Sequence, residues 1–118
     1  MTVERRSEAR RSRRHGLRGA PAVQDEFGGR LLGRALDISA GGLKLLVSEP
    51  IAEDTLFQVQ FELDMADGQR VPVVAGLQVL DQRPDRDGLM CTGARFIHLE
   101  GQHARTLVNW LRLQDATD

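Results

Sequence analysis

One stretch constrains the fold more than any other. Phe57, Val59, Phe61 and Leu63 alternate with Gln58, Gln60 and Glu62. A period of two places the apolar set on one side of an extended chain and the polar set on the other. Asp67-Gly68 follows, a pair suited to a tight hairpin turn. The return segment then sets Val71, Val73, Ala75, Leu77 and Val79 on one face. This is a half-buried antiparallel hairpin, and it cannot stand alone in water. The rest of the chain must cover it.

The flanking segments supply more strands. Leu17 to Val23 reads as a short first strand, weakened by Gly19 and Pro21. Asp25 to Gly29 is a turn. Arg30 to Ile38 reads as the second strand, with Leu32, Leu36 and Ile38 on one face. Leu43 to Val47 is a third, ended by Glu49-Pro50. Arg83 to Gly88 is a turn, and Leu89 to His98 is the last strand. The chain closes with Ala104, Leu107, Val108 and Leu111, the i, i+3, i+4, i+7 spacing of an amphipathic helix at about 100–114. Trp110 and Leu113 flank that stripe, and Gln114 falls on the polar face. The expected fold class is all-β with a terminal helix: a small antiparallel barrel of about six strands with one helix packed on it. Barrel closure would remove the edges that so many short strands create.

Charge divides the chain. Residues 1–18 carry seven arginines against two glutamates, a net of +5, and the remaining residues carry −6, for a total of −1. Residues 1–15 are expected to form a flexible Arg-rich arm on an acidic barrel of residues 16–118. Such an arm suits an anion. Long nucleic acid would be repelled by the body, which holds a single lysine, Lys44, and lacks an aromatic stacking surface. The chain has no apolar run long enough to span a membrane and no secretory signal, so a cytoplasmic location is expected. Cys91 stands alone, and His15, His98 and His103 are too scattered for a metal cluster. No nucleophile elbow, P-loop or dinucleotide fingerprint is present, so an enzyme is not expected.

Two motifs remain. The arm carries Arg10-Arg11-Ser12-Arg13-Arg14, and the segment after the second strand is Asp37-Ile38-Ser39-Ala40-Gly41-Gly42. A hairpin turning near Phe27 would bring Arg14 and Asp37 to the same end, within side-chain reach. Guanidinium forks hold phosphates and guanine N7/O6, while a carboxylate accepts from guanine N1 and N2. Together they suit a guanine nucleotide with more than one phosphate.

These residues resemble the PilZ domain family, which is known by R-x-x-x-R before the first strand and D/N-x-S-x-x-G after the second. Gly93-Ala94-Arg95-Phe96 resembles its late strand. The resemblance implies a six-stranded antiparallel β-barrel with a C-terminal α-helix. It also implies a receptor for the bacterial second messenger cyclic di-GMP. Carried onto this chain, Arg10 and Arg14 would hold phosphates and guanine faces. Asp37 and Ser39 would bond a guanine edge or the nearby loop, and Gly42 would allow a close turn. Arg11, Arg13 and Gly41 are candidates of second rank. Arg6 to Arg10 is also R-x-x-x-R, so the register stays open, as does one nucleotide against a stacked pair. A stand-alone receptor would signal to a downstream protein by ordering its arm. A nucleotide-independent interaction module of the same fold is the alternative.

Overall fold

The structure is a computed structural model that describes residues 13–117. Its strands are β1 (His15–Gly16), β2 (Ala22–Asp25), β3 (Leu31–Ile38), β4 (Gly42–Val47), β5 (Leu56–Asp64), β6 (Arg70–Pro84) and β7 (Met90–His98). A single helix, α1 (Gly101–Thr117), follows. Every pairing is antiparallel. β2 pairs with β5, β5 with β6, β6 with β7, β7 with β4, β4 with β3, and β3 returns to β2. Six strands therefore close into a barrel, and β1 adds a short seventh beside β3.

The β5–β6 hairpin has the expected register, with Phe61 opposite Val73. At its tip the Gly68 N–H donates to the Met65 carbonyl at 2.9 Å, and Gly68 has φ of 84°. That left-handed conformation suits glycine. Val59, Phe61, Leu63, Val73, Ala75, Leu77 and Val79 all point into the core. Phe61 is the largest fully buried side chain. Phe61→Ala is expected to cost about 3–5 kcal/mol in urea unfolding, with an unchanged m-value.

Three local expectations needed correction. The strand expected over Leu17 to Val23 is replaced by two short ones on either side of residues 17–21, which form no strand. Gly19 and Ala20 have φ of 73° and 42°, and Pro21 follows, so the chain kinks there. Both pieces still run beside β3, with Gly16 opposite Asp37 and Ala22 opposite Arg34.

In β3 only Ile38 of the expected set Leu32, Leu36 and Ile38 is in the core. Gly33, Ala35 and Ile38 are buried, while Leu32 and Leu36 are half-buried. A register shift between Ala35 and Asp37 is the reason. One extra residue in a strand reverses the phase of its alternation.

The helix is also turned from its expected stripe. Leu107 and Trp110 are buried, whereas Val108 and Leu113 lie exposed and Gln114 is half-buried. The helix is anchored to β6 by His103, whose Nδ1 accepts the Val74 N–H at 3.2 Å. That contact brings the Leu107–Trp110 side onto the barrel.

Candidate functional site

The site is built at the end of β3. The pairing of His15 with Ile38 and Gly16 with Asp37 delivers residue 14 beside the segment that follows β3. Arg14 Nη1 donates to Asp37 Oδ1 at 2.8 Å. The hairpin argument therefore holds for this pair, although the strand carrying Arg14 is broken further on. Because Ile38 points into the core, Asp37 points to the outer face of the barrel. The pair is partly exposed, at 43% for Arg14 and 23% for Asp37. Its contribution to stability is therefore small, about 0–1 kcal/mol.

The turn between β3 and β4 is pinned from within. The Ser39 N–H donates to the Gly42 carbonyl at 2.9 Å. Ser39 is buried at 2% exposure, and its Oγ accepts the Gly41 N–H at 3.2 Å. The Phe96 N–H donates to the Gly41 carbonyl at 2.8 Å, which ties the turn to β7. Ser39 thus bonds its own loop in this conformation.

Gly42 is set by proximity. A Cβ there would lie 2.1 Å from the Ala94 carbonyl oxygen and 2.9 Å from the Arg95 Cα. No side chain fits between β4 and β7 at this point. The need for glycine arises from a neighbouring strand, and not from the turn that was expected to require it.

Two cations share the outer face with Asp37. Leu43 and Leu45 point inward, so Lys44 points outward. It lies opposite both Asp37 and Gly93. Arg95 lies opposite Gly42, and its Nε donates to Gln78 Oε1 at 2.7 Å. Sequence reasoning passed over Lys44 and gave Arg95 no role. The alternation of the flanking strands placed both outward, but only barrel closure brought β7 beside β4. Gly93 does not open the surface beside these cations: a Cβ there would lie 2.9 Å from Asp81 Oδ1, so the Asp81 carboxylate lies over it.

The arginines do not all converge. Arg13 turns to the helix end, with Nη1 3.9 Å from Asp115 Oδ1. His15 Nε2 lies 2.9 Å from the same oxygen, and its ring meets Trp110 edge-on at 6.2 Å. Arg10 and Arg11 lie outside the described residues. Among the described residues, no cluster of three or more His, Cys, Asp or Glu side chains could hold a metal ion, and no helix is long and apolar enough to cross a membrane.

A guanidinium beside a carboxylate, with two further cations on the same face, can receive an anion that also offers hydrogen-bond donors. The fold and this rim together define a small closed barrel with a cationic patch beside Asp37 on its outer face. The PilZ domain profile matches residues 4–113, and the chain belongs to the PilZ domain family. Its fold is similar to that of a solved structure described as the PilZ domain with cyclic di-GMP of YcgR from Escherichia coli. The two are 19% identical, with a TM-score of 0.63, covering 91% of this chain and 92% of that one. No curated protein matches the chain.

Proposed function

We propose that this chain is a receptor for cyclic di-GMP and not a catalyst. The observation that carries the reading is the Arg14–Asp37 pair at 2.8 Å beside the Ser39–Gly42 turn. Family membership and the nucleotide named for the YcgR structure support it.

The chemistry follows from valence. Arg14 has five N–H donors, and one of them is given to Asp37. The others are available to a phosphate or to guanine N7/O6. Asp37 keeps a second oxygen that accepts from guanine N1 and N2. The pair therefore arrives already oriented, which lowers the entropy that binding must spend. Lys44 and Arg95 extend the cationic rim. Ser39 and Gly41 hold the loop, with Ser39 Oγ reaching a guanine edge only by releasing the Gly41 N–H. Arg10 and Arg11 would reach the ligand from the arm. The Arg13–Asp115 pair is long and exposed at both partners, and Arg13 would leave it to reach a phosphate.

The receptor acts in the cytoplasm. Residues 1–15 serve as the arm and residues 16–118 as the barrel. Ligand orders the arm across the rim and presents a new surface to a downstream protein. Hydrogen exchange is expected to show slower exchange in the part of the arm ahead of Arg13 when ligand is present. Equal protection in both states would refute this step.

Calorimetric titration with cyclic di-GMP, beside cyclic di-AMP, tests the reading. Micromolar or tighter binding of the guanine compound alone is expected. No heat with either would leave the nucleotide-independent interaction module as the function. Lys44→Ala and Arg95→Ala are each expected to weaken binding about tenfold, the value of one charge-assisted hydrogen bond at ~1.5 kcal/mol. Both substitutions should leave the melting temperature nearly unchanged.

A further inference from the structure

The barrel wall is split between β2 and β5. β5 pairs with β6 at nine positions, from Leu56 to Asp64, but with β2 at only two, Gln24 opposite Gln60 and Asp25 opposite Val59. The Glu26 N–H adds one bond to the Gln58 carbonyl. Beyond Gln60 the strands part, because the kink at Gly19–Ala20 carries β1 and β2 along β3 instead. The next rung would be Ala22 with Glu62, and no such rung forms.

The alternation of a strand says which groups are left over. The Gln58 carbonyl faces β2, so the N–H and C=O groups of Gln60, Glu62 and Asp64 face the same way. Glu62 and Pro72 face each other across the hairpin as a non-hydrogen-bonded pair, so β6 takes neither main-chain group of Glu62. The main-chain groups of Glu62 and Asp64 therefore point into the split, where β2 pairs with neither residue. The split is a cleft of about 640 Å³, within the range of cavities that take ligands. Its walls include Glu62 and Asp64 on one side and Arg18 and Arg34 on the other, over Leu63 and Trp110. Arg70 Nε already donates to Asp64 Oδ1 at 3.1 Å, which leaves Glu62 as the acidic group without a cation on β5.

We infer that this cleft is a strand-addition site for an extended segment of a partner protein. The segment pairs its main chain with Glu62 and Asp64, as peptides do on open sheet edges. Its inward side chains are apolar and lie over Leu63 and Trp110. Outward, it sets a cation opposite Glu62, and Arg18 and Arg34 across the cleft accept an acidic neighbour. The site is separate from the Arg14–Asp37 rim and does not depend on the nucleotide reading.

The probe is a capped peptide that alternates valine with lysine and glutamate, added to the full chain and followed by amide NMR and hydrogen exchange. The free protein is expected to exchange its Glu62 and Asp64 amides rapidly. Bound peptide should slow both at least tenfold and shift the Ala22 amide. A peptide with proline at its centre should bind at least tenfold more weakly. Glu62→Pro removes a donor on the cleft side alone, and Glu62→Lys reverses the charge there. Each is expected to weaken the peptide at least tenfold while cyclic di-GMP titrates as it does with the unaltered chain. Glu62→Lys serves where the proline variant does not fold. Four results would each overturn the inference: a Glu62 amide already protected in the free protein, shifts confined to other surfaces, equal binding of the proline peptide, or sedimentation as a dimer paired through β5.

Discussion

Arg14→Ala is expected to weaken cyclic di-GMP binding by about a hundredfold or more while leaving the fold intact. Two charge-assisted hydrogen bonds to phosphate or guanine are worth ~3 kcal/mol together, which is roughly a hundredfold in affinity. The substitution also releases Asp37 from its 2.8 Å bond and leaves an unpaired carboxylate facing the incoming anion. Stability should fall by no more than about 1 kcal/mol, because the pair is partly exposed. Arg14→Lys should not restore affinity, since a point charge cannot serve Asp37 and the ligand with the geometry of a planar fork. Calorimetry and thermal melts on the same samples separate the two effects. Full affinity in Arg14→Ala would move the functional arginines to Arg6 and Arg10 and settle the register of the motif against the reading given above.

Gly42→Ala is the second large effect, and it acts on the fold before it acts on the ligand. The added methyl would sit 2.1 Å from the Ala94 carbonyl oxygen. The obstacle is backbone, so no side chain can swing aside, and β4 must separate from β7. Overpacking of this kind costs about 3 kcal/mol or more. The separation also strains the bond from Phe96 to the Gly41 carbonyl, and with it the turn beside Asp37. The melting temperature should drop by roughly 10–20 °C. Gly16→Ala is the control, since a Cβ there meets nothing within 4 Å. It should stay within about 0.5 kcal/mol of the unaltered chain. A melting temperature for Gly42→Ala equal to that of Gly16→Ala would show that β4 and β7 are not so closely apposed.

The central hairpin was legible in the sequence because its signal is local. Phe57 to Leu63 alternates without a break, and the Asp67-Gly68 turn sets its register. The Arg14–Asp37 meeting was legible for a similar reason. A hairpin of known length brings its two ends together whatever happens along it. Other features lay outside that reach. The phase of β3 depends on the bulge at Leu36, and nothing in Leu31 to Ile38 marks one position for it. The helix offered two overlapping stripes, one with Val108 and one with Trp110. Contact with β6 chose between them.

The sequence by itself determined the class of fold, the family and the pair of motifs, because periodicity, turn chemistry and short spacings are properties of neighbouring residues. Only the tertiary structure decided three further things. It turned Arg13 away from the rim and toward Asp115. It made Gly42 a matter of contact with Ala94 and Arg95, residues far away along the chain. It opened the wall between β2 and β5. Each depends on which distant strand lies alongside, and barrel closure sets that through all six strands at once.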